Sequence, residues 1–247
     1  MAVNGTWNGY PCETFSFEGK EAVLVFPEKP DQQKNWTLKT EYWGAFPETE
    51  IALLKEGFHA AFLTNRTRWA SKDDCDAKEH FCGYLQEHYG LRDRCVPVGM
   101  SCGGAHAVNF AGYYPERIVC MFLDAPVMNF VDLPGKCGSP FCEQLWDEEF
   151  IKAYPGISRV DLFSFDNHPI AKAPVLIGHR IPIVMSHGTE DETVPYDQHG
   201  RLLRDAYRDA GLSDFLLDLP RYYQGHHPHG FPDDPKPIVD FILRYSR

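Results

Sequence analysis

The chain has 247 residues, of which 43% are hydrophobic and 24% charged, ordinary globular usage for one domain with a full core. Its formal net charge of -11 argues against nucleic acid or an anionic membrane surface as a partner. The first fifteen residues hold no basic stretch followed by an apolar one, and no apolar run reaches the length of a membrane span. A cytoplasmic chain is therefore expected, with its eight cysteines reduced and with no meaning attached to the Asn-x-Ser/Thr triplets at Asn4, Asn35 and Asn65. Cys137 and Cys142 lie close together, but no second Cys or His pair follows at zinc spacing, so no metal is expected there.

Taken in chain order, residues 21–26 predict a strand, 51–56 a helix and 58–63 a second strand. Residues 80–88 predict a helix, 95–99 a strand, 105–114 a helix and 118–124 a strand. After a long gap come a strand at 181–186, a helix at 201–207, a strand at 215–219 and a final helix at 237–244. Strands that are apolar throughout, alternating with helices, imply an α/β chain: a mostly parallel twisted sheet covered by helices on both faces. The gap breaks that alternation. Residues 127–180 are rich in aromatics, among them Phe141, Trp146, Phe150, Phe163 and Phe165, and are expected to form a cap inserted into a single domain spanning 1–247.

Three motifs carry chemistry. Gly99-Met100-Ser101-Cys102-Gly103 lies directly after a predicted strand and before a predicted helix. A tight turn there lifts the Ser101 hydroxyl out of the sheet edge, and the helix N-terminus adds free N–H groups and a positive dipole beside it. A serine hydroxyl needs a base, and the base an orienting carboxylate. After the strand at 181–186 comes Gly188-Thr189-Glu190-Asp191-Glu192-Thr193-Val194-Pro195, and after the last strand Gly225-His226-His227-Pro228-His229-Gly230. Asp124, at the end of an earlier strand, is a second candidate acid, and His229 a second candidate base.

The three motifs, in the chain order serine, acid, histidine, resemble the nucleophile elbow, acid turn and histidine loop of the α/β-hydrolase fold. The resemblance selects Asp191 over Asp124, by the Gly-x-x-Asp-x-x-Val-Pro spacing, and His226 over His229. It also implies an oxyanion hole made by the N–H of Cys102 and a second N–H on the loop after the strand 21–26. Pro27 and Pro30 have no N–H, which leaves Glu28 or Lys29, with Glu28 at the position other members use. Residues 36–44, 49–59 and 123–127, together with the histidine loop, are similar to bacterial α/β-hydrolases found near carbohydrate-esterase genes, over nearly the whole chain. That group often has Arg after the serine, where this chain has Cys102.

The expected activity is hydrolysis of a carboxylic ester through an acyl-enzyme, with an acylated carbohydrate as one possible small-molecule substrate. A peptidase of the prolyl-oligopeptidase type and a non-catalytic binding protein are the competing readings. No cofactor and no metal are expected; the histidine cluster alone names too few ligands. Tyr42, Trp36, Trp43 and Trp69 are placed near strand ends, available to stack on a sugar or to pack the core. Arg66 and Arg68 either meet an anion or are merely exposed.

Overall fold

A computed structural model describes residues 3–247. One nine-stranded sheet runs through the molecule: β1 (Gly5–Trp7), β2 (Tyr10–Phe17), β3 (Lys20–Val25), β4 (Trp36–Lys39), β5 (His59–Leu63), β6 (Val96–Met100), β7 (Met121–Asp124), β8 (Ile183–Gly188) and β9 (Leu216–Arg221). Their spatial order is β1-β2-β3-β5-β4-β6-β7-β8-β9. The first three strands form an antiparallel meander, and β3 also pairs antiparallel with β5. From β5 to β9 every pairing is parallel.

The division follows from the side chains. Strands β4 to β8 are buried at every position, as a sheet covered on both faces requires. In β2 exposure varies along the strand and only Cys12 is fully buried. The N-terminal meander, β1 and β2, and the short central strand β4 extend the strands expected from sequence.

The principal helices are α1 (Glu48–Lys55), α2 (Lys72–Tyr89) and α3 (Cys102–Tyr113), with α4 (Pro140–Leu145), α5 (Ile151–Ala153) and α6 (Ala173–Gly178) between β7 and β8, then α7 (Gly200–Asp209) and α8 (Lys236–Ser246). The Ser71 hydroxyl caps α2 by accepting from the Asp74 N–H, and Gly90 ends it in the left-handed region at φ 65°. One core cluster joins α2, α3 and α7 to the sheet through Phe81, Phe110 and Tyr207. Another packs α1 and α8 on the opposite face through Leu53, Phe241 and Ile242. Among the described residues, no helix is long and apolar enough to cross a membrane.

The stretch between β7 and β8 contributes Phe130, Leu133, Leu145, Trp146, Phe150 and Leu162 to a separate apolar cluster, which also takes in Trp69, Cys102 and Ala105. It thus packs over the start of α3, at the carboxyl ends of the parallel strands, where α/β sheets place their sites. Cys142 is buried in this cluster, Cys137 is exposed, and all eight cysteines are free thiols.

Candidate active site

Ser101 joins β6 to α3 with φ 53° and ψ -124°, a backbone conformation that L-residues rarely adopt. It is held there from two sides: its N–H donates to the Asp124 carbonyl at 2.9 Å, and its carbonyl accepts from the Val127 N–H at 3.0 Å. The glycines around it are a steric requirement. A Cβ on Gly99 would lie 2.4 Å from the Gly103 carbonyl oxygen, and one on Gly104 would lie 2.4 Å from the Pro126 side chain. The sequence pattern is therefore the minimum that lets strand and helix meet at this angle.

Asp191 follows β8 on a turn that it organises itself: Oδ1 accepts from the N–H groups of Thr193 at 2.9 Å and Val194 at 2.8 Å. Its other oxygen, Oδ2, accepts from His226 Nδ1 at 2.7 Å. Burial opposes the charge on Asp191, yet the His226 bond and the two backbone donors hold its carboxyl below the usual carboxylate range. With Nδ1–H committed to a carboxylate, His226 Nε2 is left as an acceptor. It faces the Ser101 hydroxyl at 3.2 Å. The His226 loop is fixed against the acid turn: Glu190 N–H donates to the Gln224 carbonyl at 2.8 Å, and a Cβ on Gly188 would lie 2.1 Å from the Gly225 carbonyl oxygen.

The two rival residues are found together, as a pair of their own. Asp124 is fully buried; its Oδ1 accepts from His229 Nδ1 at 2.8 Å and from Arg221 at 3.0 Å. Its Oδ2 accepts from the Ser186 hydroxyl and the Gly230 N–H, each at 2.5 Å. Burial opposes this charge too, and the bonds from His229, Arg221 and Ser186 hold the carboxyl below its usual range. Neither Asp124 nor His229 bonds the Ser101 hydroxyl among the described residues. What Asp124 does is tie β7, β8, β9 and the histidine loop to one point.

Cys102 opens α3, buried, with burial pushing its thiol up to about 11, so it is not a competing nucleophile. Glu28 is in the wrong place for the second N–H. Because β3 is antiparallel to β5, with Val25 opposite Ala60, the loop after β3 emerges at the amino ends of the parallel strands. There Asp31 N–H donates to the Gly57 carbonyl, just ahead of β5, and Glu28 is solvent-exposed. The loop that reaches the serine follows β4 instead. A Cβ on Gly103 would lie 3.1 Å from Glu41 Cβ and 3.5 Å from the Glu41 nitrogen. Tyr42 then turns through φ 56° into the pocket. Sequence reasoning passed over β4 because it has four residues and ends on a lysine. Lys39 is buried against Glu50 at 2.7 Å, which is what allows it inside the sheet. A polar scaffold lies beneath this loop: Asn65 donates to the Thr40 carbonyl and to Glu41 Oε2, each at 2.6 Å, and itself accepts from the buried Lys78.

Ser101 opens into a cavity of about 330 Å³. Met100, Leu133, Phe141 and Leu145 contribute apolar lining and Thr193, His226, His227 and His229 polar lining, and Tyr42, Phe46 and Arg68 also reach the wall. Arg68 is paired with Glu149 at 2.7 Å. Of the four aromatics considered from sequence, only Tyr42 lines this pocket: Trp36 and Trp69 are buried in the core clusters, and Trp43 is stacked between Trp7 and Phe62. The ring nitrogens of His226, His227 and His229 lie within 4.8 Å of one another. Ligands of one zinc ion sit about 3.3 Å apart at the usual 2.0–2.1 Å bond lengths. Two of the three rings already give Nδ1 to a carboxylate, so each has only Nε2 to offer an ion, and on His226 that nitrogen faces the Ser101 hydroxyl.

Strand order, elbow and loop placement define the α/β-hydrolase fold, and the solved structures agree. Pyrococcus horikoshii acylaminoacyl peptidase superposes with a TM-score of 0.70 at 15% identity, over 96% of this chain and 42% of its own. Puromycin hydrolase gives 0.63 at 17% identity, over 94% and 37%. The Thermus thermophilus protein TT1662 gives 0.62 at 15% identity, over 95% and 97%. This chain thus spans less than half the length of the acylaminoacyl peptidase and the puromycin hydrolase. No family profile and no curated protein matches it by sequence.

Proposed function

We propose that this protein is a serine hydrolase that transfers an acyl group from an ester to Ser101 and then to water. The observation that carries the reading is the continuous line from Asp191 through His226 to the Ser101 hydroxyl, at 2.7 and 3.2 Å. His226 Nε2 takes the hydroxyl proton as Ser101 attacks the acyl carbon, Asp191 stabilises the imidazolium, and Nε2 then gives the proton to the departing oxygen. Water repeats the sequence on the acyl-enzyme. The Cys102 N–H and an N–H of the Glu41–Tyr42 turn are the donors proposed for the oxyanion. The acyl chain is assigned to the apolar lining of the pocket, so Leu133, Phe141 and Leu145 from the stretch between β7 and β8 limit its length.

A second reading has a specific observation behind it. Acylaminoacyl peptidase and puromycin hydrolase share this fold, and the same triad cleaves an amide if the amine is positioned for protonation. A panel of nitrophenyl esters of increasing acyl length, acetylated sugars and aminoacyl amides separates the two. Ester turnover at least a hundredfold above amide turnover is expected; the reverse ranking assigns the protein to the peptidases. No turnover of any member, with no phosphonylation of Ser101 by a fluorophosphonate, removes the hydrolase reading.

A further inference from the structure

We infer that His229 is a specificity-determining residue, which accepts a hydrogen bond from a hydroxyl on the leaving group, next to the bond being cleaved. The inference rests on the triad reading above. His229 is 97% buried by side chain, and its Nδ1 is held by Asp124 at 2.8 Å. Among the described residues its Nε2 makes no hydrogen bond, and the ring lines the Ser101 cavity. A buried imidazole with one nitrogen fixed and the other open to a pocket is oriented for a ligand.

The charge around it decides which hydrogen-bonding role it plays. Asp124 carries one negative charge, and the buried guanidinium of Arg221, at 3.0 Å, already balances it. Because Arg221 already supplies the counter-charge, Asp124 needs only a hydrogen-bond donor from His229; with Nδ1–H given to Asp124, the neutral ring keeps a lone pair on Nε2. Such a group recognises a donor and gives nothing to a carbonyl or an ether.

Position decides which part of the substrate it meets. His226 must deliver its proton to the leaving oxygen, so the leaving group departs past that ring. The His229 ring stands edge-on to it, with centroids 4.7 Å apart, and also meets Phe46 at 5.3 Å. The donor it can reach is therefore on the alcohol half, on the carbon next to the one that bears the scissile oxygen. This defines the substrate class as a partial ester of a polyol, in which the acylated carbon has a free hydroxyl beside it.

The test compares three esters of one acyl group: the 2-hydroxyethyl ester, its 2-methoxyethyl counterpart and the propyl ester. A hydrogen bond to an otherwise unpartnered group changes the rate by about tenfold. In the wild-type protein, kcat/KM for the hydroxyethyl ester should exceed that for each of the others by about tenfold. His229→Leu should bring the ratio to about one, and His229→Gln, whose Oε1 is again an acceptor, should retain a preference of threefold or more. The ratio is internal to each protein, so a partly folded variant still reads correctly. Equal rates on all three esters in the wild-type protein overturn the inference while leaving the triad reading standing, as does a preference that survives His229→Leu. Turnover of none of the esters, with no fluorophosphonate label on Ser101, overturns both.

Discussion

Two Asp–His pairs stand side by side at the carboxyl edge of the sheet, alike in chemistry and opposite in consequence. Asp191–His226 spans 2.7 Å and Asp124–His229 spans 2.8 Å; the two imidazoles are in contact, and both carboxyls are held below their usual range. They differ in what completes each pair. Asp191 spends its remaining capacity on two backbone N–H groups of its own turn, and its histidine keeps a nitrogen on Ser101. Asp124 is saturated by Arg221, Ser186 and Gly230, which belong to β9, β8 and the histidine loop. The third partner of each dyad is thus what separates the role proposed for Asp191–His226 from that of Asp124–His229.

Removing a member of the first pair should have the largest effect. Ser101→Ala and His226→Ala are each expected to lower kcat by about a thousandfold or more while the protein stays folded, as checked by near-ultraviolet circular dichroism. Asp191→Asn should follow, because an amide favours the wrong imidazole tautomer. Removing the carboxylate of the second pair should act on stability instead. Asp124→Asn leaves the buried Arg221 without its counter-charge and is expected to cost about 3 kcal/mol in urea unfolding, with kcat per folded molecule within about tenfold of wild type. A larger loss of kcat from Asp124→Asn than from Asp191→Asn, at equal folding, would reverse the two roles.

Acid should sharpen the comparison less strongly. The Asp124 carboxyl is depressed in the folded protein, so its contribution to stability is complete above the unfolded value of about 3.9 and is lost as the pH falls through the folded value. The gap in unfolding free energy between wild type and Asp124→Asn should therefore be constant from pH 8 to 5 and narrow only below about pH 4. A gap that already narrows between pH 8 and 5 would contradict a depressed Asp124 carboxyl. The smallest effect is expected at Glu28: exposed, and at the far end of the sheet, Glu28→Ala should change stability by less than about 0.5 kcal/mol and leave ester turnover within twofold.

Most of the sheet was legible because burial on both faces writes itself as uninterrupted apolar runs, as at 58–63 and 181–186. The Gly-x-Ser-x-Gly pattern was legible because its glycines stand at close approaches: a Cβ on Gly99 would lie 2.4 Å from the Gly103 carbonyl oxygen, and one on Gly103 would lie 3.1 Å from Glu41 Cβ. The oxyanion loop was misplaced for a topological reason. Strand β4 follows β3 in sequence but lies beyond β5 in space, between β5 and β6, and its four residues include a lysine whose buried partner, Glu50, is eleven positions away. No local pattern reveals that a charged residue is neutralised. The same blindness let His229 and Asp124 stand as separate rivals: their pairing links positions 105 residues apart, and only the closed sheet brings them together.

The central claim is that His226, and not its neighbour, activates Ser101. The most direct measurement is the rate at which a small fluorophosphonate labels Ser101, read by intact-protein and peptide mass, in wild type, His226→Ala and His229→Gln. The account predicts one label, on Ser101, forming about a thousandfold more slowly in His226→Ala and within about tenfold of wild type in His229→Gln. Labelling that survives in His226→Ala and collapses in His229→Gln, or a label on any other serine, would contradict it.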